Sequence, residues 1–282
     1  MKELPIGFID SGYGGLTVVK QSLKQLPNES IIYLGDNARC PYGPRSLMEV
    51  RKFIWQLTHF LREKGIKMLV IACNTGTAAA LDELKAVLPI PVVGVIASGS
   101  RAAIKQTQNN QIGVIGTAGT INSQLYTRTI LEKTAKVKVE SLACPSFVEL
   151  VEEDRLDESS TQPHVNEVLK PIIQSGIDTL VLGCTHYPLM KREIKEASGS
   201  KVHLIDSGVE TINEVSMLLD YFNLSRTAEE QEQDPASQIY YTTGEIEPFK
   251  VIAGKWLKAD DIVVRQCRIK GEIIVEATNC ES

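Results

Sequence analysis

Two cysteines close two apolar runs in the same way. "VIACNT" (70–75) ends on Cys73 and continues into Asn74 and Thr75, and "VLGCTH" (181–186) ends on Cys184 and continues into Thr185 and His186. Asn and Thr after an apolar run cap helices and present donors, so each thiol stands where a strand hands over to a helix. A helix N-terminus stabilises negative charge and favours thiolate over thiol, from a free-cysteine pKa of about 8.5. Taken singly, each cysteine also suits a small buried hydrophobe. Facing one cavity from opposite sides, two thiols suit one task. One, as thiolate, removes a proton from one face of a carbon, and the other, as thiol, returns a proton to the opposite face. Each needs a polar neighbour to tune or relay its proton. Asp10, at the end of "IGFID", and His186 are the candidates, with an N-cap and a hydrogen-bonded core histidine as their alternative roles.

The pairing is written into a repeat. Without a gap, "KGIKMLVIACNT" (64–75) aligns with "SGIDTLVLGCTH" (175–186), matching Gly65 with Gly176, Leu69 with Leu180, Val70 with Val181 and Cys73 with Cys184. Upstream, "IGFIDSGYGGLT" (6–17) resembles "IGVIGTAGTINS" (112–123), with Asp10 opposite Gly116 and Ser11 opposite Thr117. Asp10 and Cys73 are 63 positions apart, and Gly116 and Cys184 are 68 apart. Near-equal spacing predicts two similar halves that face one another.

The elements that position these residues alternate in a βαβα rhythm. Strands are predicted at 6–10, 31–36, 67–73, 91–96, 111–116, 137–144, 178–184 and 201–206, with helices at 14–26, 46–65, 77–88 and 211–224. The continuous apolar run "KMLVIAC" is that of a parallel strand buried on both faces, so the class is α/β with parallel sheets. The acidic stretch "SRTAEEQEQDPAS" (225–237) reads as a solvated linker, followed by a strand at 238–244 and a helix at 247–257. "DIVVRQCRIKGEIIVEAT" has strand-like alternation but no assigned place.

Composition excludes several classes. The chain of 282 residues is 43% hydrophobic and 23% charged, as in a soluble globular protein of one large or two modest domains. A net charge of −5 with scattered basic residues argues against nucleic acid and an anionic membrane surface as partners. No apolar run approaches a membrane span of about 18 residues, and "MKELPIGFID" lacks the features of a secretory signal. Six dispersed cysteines without a C-x-x-C pair form neither a disulfide framework nor a zinc module, and the cytoplasm is expected. The glycine clusters "SGYGG" and "GVIGTAGT" fit neither the dinucleotide fingerprint nor the P-loop. A cysteine–histidine hydrolase or amidotransferase would use Cys184 with His186 and leave Cys73 unexplained. A two-domain binding protein for an acidic amino acid would need the cleft but not the thiols.

Together, "IGFIDSGYGGLTV", "ARCPYGPRS", "ACNT", "GCTHYPLM" and "YYTTG" resemble the glutamate racemases over residues 6 to 257, which is most of the chain. The "GCTHYPL" motif separates that family from the aspartate and hydantoin racemases, though another acidic substrate such as aspartate is the alternative. The resemblance implies interconversion of L- and D-glutamate by two cysteine bases, without pyridoxal phosphate or metal, and supply of D-glutamate to peptidoglycan. It implies a homodimer and two pseudo-symmetric, doubly wound parallel-sheet domains with the active site between them. The expected domains are 1–97 with 207–258, carrying Cys73, and 98–206, carrying Cys184, leaving 259–282 as an unassigned extension. Carried over, Cys73 is similar to the base for D-glutamate and Cys184 to the base for L-glutamate. Asp10 and His186 resemble their assisting groups, and Glu152 resembles an auxiliary acid. Substrate contacts are implied for Asp10, Ser11, Tyr42, Gly43, Asn74, Thr75, Thr185 and His186, with Thr117 and Thr120 as further candidates for a carboxylate. The chain departs from the commoner "ACNTATA" at Gly76, which is expected to loosen the following helix by roughly 1 kcal/mol relative to alanine.

Overall fold

Short β-branched runs bounded by turns form parallel strands, and the amphipathic stretches between them cover both faces of the sheets. A computed structural model describes residues 1–277 of the protein. The first half runs β1 (Ile6–Asp10), α1 (Leu16–Gln25), β2 (Ile31–Gly35), α2 (Leu47–Glu63), β3 (Met68–Ile71), α3 (Asn74–Val87) and β4 (Val92–Gly94). There follow α4 (Val95–Gln106), β5 (Gln111–Gly116), α5 (Ala118–Asn122), α6 (Leu125–Lys133) and β6 (Lys138–Ala143). The second half continues with α7 (Ser146–Glu152), α8 (Thr161–Gln174), β7 (Thr179–Gly183), α9 (Lys191–Ser198) and β8 (His203–Asp206). The chain then returns through α10 (Ser207–Tyr221), α11 (Ala228–Gln233), β9 (Gln238–Thr242), α12 (Ile246–Leu257), β10 (Val264–Lys270) and β11 (Ile273–Glu276).

Among the described residues these strands form two sheets, in the orders β11-β10-β9-β2-β1-β3-β4 and β6-β5-β7-β8. Every pairing is parallel except β10 with β11. The segments β2-β1-β3-β4 and β6-β5-β7-β8 are one topology written twice, as the repeat predicts. In each, the chain leaves its central strand to one side and then crosses back to the other. Connections therefore depart on opposite faces from neighbouring strand ends, creating the crevice in which open α/β sheets bind ligands. Ile9 pairs with Ile71 and Gly116 with Gly183. Continuing those registers brings Ser11 beside Cys73 and Thr117 beside Cys184.

Strands β1, β2, β3 and β7 are buried along their whole length. On one face of the first sheet, Val50, Ile54, Leu57 and Leu61 of α2 pack with Leu84 of α3 against Ile9 and Ile71. On the other, Leu16 and Val19 of α1, Ile212 and Val215 of α10 and Phe249 of α12 pack against Phe8 and Val70. Each such side chain stabilises the fold by about 1.5–3 kcal/mol. The second sheet is covered on both faces as well.

Two expectations are corrected, and an unplaced stretch finds its place. The strand predicted over 91–96 ends at Gly94, and Val95 and Ile96 begin α4, packed with Ile112 and Val114 of the second sheet. The stretch 225–237 is not simply solvated: Arg226 is buried, with guanidinium bonds to the carbonyls of Glu230 and Asp234 and to Ser30 Oγ. Thr227 and Glu230 form a capping box that starts α11. The unplaced C-terminal stretch supplies β10 and β11, which extend the edge of the first sheet. Thr278, the last residue of that stretch, and residues 279–282, including Cys280, lie outside the described residues.

Candidate active site

Cys73 is the N-cap of α3, and its Sγ accepts the Gly76 N–H at 3.3 Å. A sulfur thus takes the place of the usual capping oxygen. Burial pushes the thiol up to about 12, and the neighbouring Asp10 adds to that, while the Gly76 N–H pulls it down. The expected helix N-terminus is present, but desolvation outweighs it, and Cys73 rests as a thiol. Asp10 is fully buried at the end of β1. Its Oδ2 accepts the N–H groups of Gly12 at 3.1 Å and Gly15 at 2.9 Å, whereas Oδ1 has no hydrogen-bond partner among the described residues. Burial raises its pKa against the pull of the Gly15 N–H and the His186 charge. The N-terminal anchoring of α1 and a place close to Cys73 are therefore properties of one carboxyl group.

Cys184 occupies the matching strand end, but the chain beyond it differs. In place of a long α-helix, a single 3-10 turn spans Tyr187–Met190. The neighbour of Cys184 is an imidazole, with His186 Nδ1 at 3.8 Å from Sγ. On its other side His186 Nε2 lies 3.1 Å from Glu152 Oε1. Burial would discharge the ring, but its bonds to Cys184 and Glu152 outweigh that and raise its pKa to about 10. His186 is thus held as an imidazolium at neutral pH. Burial opposes ionisation of Glu152 too, yet the bonds from His186 and Cys40 hold its carboxyl below the usual range.

Between the two strand ends lies a cavity lined by Ser11, Cys73, Asn74, Thr75, Cys184, Thr185 and His186, with Tyr42 and Gly43 forming part of its wall. Asp10, expected among the substrate contacts, is not in that lining, and it sits behind the wall. The free volume is about 20 Å³, the space of about one water. Donors are available there. Asn74 Oδ1 accepts the Tyr126 hydroxyl at 2.8 Å, and its buried Nδ2 has no partner among the described residues. Thr75 Oγ1 lies 2.9 Å from Thr117 Oγ1 and 3.2 Å from Thr120 Oγ1, so three hydroxyls meet across the two halves.

Comparison with known proteins bears on this arrangement. The sequence family described as Asp/Glu/Hydantoin racemase matches residues 6–215. A glutamate racemase from Carnobacterium sp. (strain St2) is 56% identical over 264 residues, covering 94% of this chain and 98% of that relative. The chain belongs to the glutamate racemase family. The solved glutamate racemase of Bacillus anthracis superposes with a TM-score of 0.90 at 42% identity, covering 97% of this chain and 100% of that one. A glutamate racemase from Francisella tularensis, solved in complex with D-glutamate, gives a TM-score of 0.86 at 34% identity, covering 96% and 98%.

Within this racemase-family fold, three cavity residues have no role that the sequence alone assigns: Cys40, Pro41 and Val148. The first two belong to the motif "ARCPYGPRS". Their loop is far in sequence from either thiol, and only the fold brings it over the cleft. Its geometry is fixed from below: Asp36 accepts the Tyr42 hydroxyl, Arg39 Nε at 2.6 Å and Thr243 Oγ1 at 2.8 Å. Val148 comes with α7, the short helix that also carries Glu152.

Proposed function

We propose that the protein interconverts L- and D-glutamate by a two-base mechanism, with Cys184 taking the α-proton of the L-enantiomer and Cys73 that of the D-enantiomer. The observation that carries this reading is the pair of thiols at equivalent strand ends on one cavity, each with an ionisable partner of its own. Family membership supports the reaction class and substrate. Two unlike partners support opposite resting roles. Cys73, a thiol, is ready to give a proton, and the His186 ring lies beside the thiol of the other face. After one turnover Cys184 holds the proton and Cys73 is the thiolate, beside which the raised Asp10 carboxyl is suited to donate. Asn74 Nδ2, the Thr75, Thr117 and Thr120 hydroxyls and the backbone around Ser11, Gly43 and Thr185 are suited to hold the substrate carboxylates. Supply of D-glutamate for peptidoglycan, a cytoplasmic location and a homodimer belong to the same reading. So does a division into domains of 1–94 with 207–277 and of 95–206, in line with the packing of α4 and of β10–β11. No helix among the described residues is long and apolar enough to cross a membrane.

The test is incubation of each glutamate enantiomer with the protein in D₂O. Racemisation with deuterium gained at the α-carbon is expected, and Cys73→Ser and Cys184→Ser should each abolish it. Binding of glutamate without exchange would instead identify a binding protein, and ammonia release a hydrolase. Turnover of aspartate in preference to glutamate would move the substrate, and a single variant racemising at wild-type rate would remove the two-base assignment.

A further inference from the structure

The Cys184 side of the site ends in a carboxylate that its own helix does not hold. Glu152 is the last residue of the seven-residue α7, and its side chain remains 30% exposed. Two groups bind its Oε1: His186 Nε2 at 3.1 Å, and the Cys40 thiol from the opposite half of the molecule at 3.7 Å. Cys40 is well placed for that. Its carbonyl-side neighbour Pro41 and the preceding Arg39 both accept the Arg45 Nε–H through their carbonyls, at 3.3 and 3.0 Å. The Arg39 guanidinium lies over the Phe53 ring, 4.0 Å from its centroid. The sulfur also packs on the Gly12 backbone, where even a methyl group would come within 2.9 Å of it.

We propose that Cys40 is a positioning residue for the Cys184 half-reaction: its thiol, donated across the cleft, fixes the Glu152 carboxylate that holds His186 against Cys184. This rests on the functional reading above. Burial and the charges of Glu152 and Asp10 push the Cys40 thiol well up, so it acts as a donor and not as a third base. Because Cys40 and Glu152 belong to different halves, the chain Cys40–Glu152–His186–Cys184 is complete only when the cleft is closed. The relay is thereby assembled in the state in which the substrate is shut away from water.

Kinetics with α-deuterated substrates tests this. Cys40→Ala removes the donor and Cys40→Ser keeps one. The enantiomers are equal in free energy, so any loss in kcat/KM is the same in both directions, and about tenfold is expected for a hydrogen bond to a charged group. The discriminating readout is the isotope effect. In Cys40→Ala the effect with α-deuterated L-glutamate should rise, because transfer to Cys184 has become slower. With α-deuterated D-glutamate it should fall, because the label leaves at Cys73 before the slow step. Cys40→Ser should restore both toward wild type. A general structural defect would move neither effect apart from the other. Unchanged rates in Cys40→Ala, isotope effects that move together, or a rise with D-glutamate instead would overturn the proposal. Absence of racemisation by the wild-type protein would overturn the functional reading itself, and this proposal with it.

Discussion

The two thiols occupy matched positions but live in different electrostatic surroundings, and the difference is a property of single side chains. Cys73 has a backbone N–H and a buried carboxyl group, and burial leaves it protonated. Cys184 has an imidazolium, and that imidazolium owes its charge partly to Glu152. Removing the anion while keeping its shape should therefore lower the His186 pKa, because a cation loses its counter-charge. In wild type the imidazolium is present below about 10 and is lost as pH rises through that value. In Glu152→Gln the alkaline limb of kcat/KM should move to lower pH by about one unit or more. A pH profile through the alkaline range, with glutamate as substrate, checks it, and an unmoved limb would detach Glu152 from the His186 charge. Because that drop in the His186 pKa loses about 1.4 kcal/mol of stability per unit at neutral pH, the same variant should also unfold at a slightly lower midpoint.

At the scale of elements, Gly76 shows how a local rule and a packed neighbour disagree. Glycine in the first turn of α3 costs about 1 kcal/mol in helix propensity relative to alanine, yet a Cβ built there would stand 2.7 Å from Ile54 Cδ1 of α2. Gly76→Ala alone should destabilise by about 1–3 kcal/mol through overpacking. In an Ile54→Val background, which removes that methyl, the same change should be neutral or stabilising. Denaturant unfolding of the four proteins gives the coupling directly, and additive effects would show that α2 yields without cost. Much of this layer was legible in the sequence. The gapless alignment of 64–75 with 175–186 foretold that β3 and β7 are equivalent strands, and their ends foretold where the thiols would emerge. Cys40 and Val148 were not legible, because what makes them site residues is the meeting of a loop after β2 with a helix after β6. The strand-like alternation of the stretch that forms β10 and β11 was legible, but its place was not, because the pairing of β10 with β9 is set by a register that no residue pattern displays. Arg226 looked like a solvated charge because its acceptors include backbone carbonyls and the distant Ser30 hydroxyl, which no residue pattern displays.

At the scale of the whole molecule, the halves meet closely around a small cavity. Its free volume of about 20 Å³ takes about one water, so binding of glutamate requires the halves to give way and to re-form their bridging contacts around it. The first sheet's β4 hands over to α4 at Gly94–Val95, and the second sheet's β8 to α10 at Asp206–Ser207. Closure is read in contacts that bridge the cleft: Gly119 N–H to Gly43 O at 2.8 Å, Thr75 Oγ1 to Thr117 Oγ1 at 2.9 Å, and Thr17 Oγ1 to Thr185 O at 2.9 Å. Gly119 isolates the closing step from the chemistry. A Cβ there would meet Gly43 O and Thr75 Cγ2, both at 2.9 Å and both on the opposite half, while Gly119 does not itself line the cavity. Gly119→Ala should therefore leave each half as stable as before, or slightly more so, because alanine suits a helix better than glycine by about 1 kcal/mol. Its kcat/KM should nonetheless fall about tenfold or more, because the closed arrangement carries an overpacking cost of about 1–3 kcal/mol that the open one does not. Unfolding midpoints and steady-state rates measured on the same preparation separate the two effects. A variant that loses stability and activity in step would place the fault in the fold, and one that keeps full activity would show that catalysis does not require the halves to meet this closely.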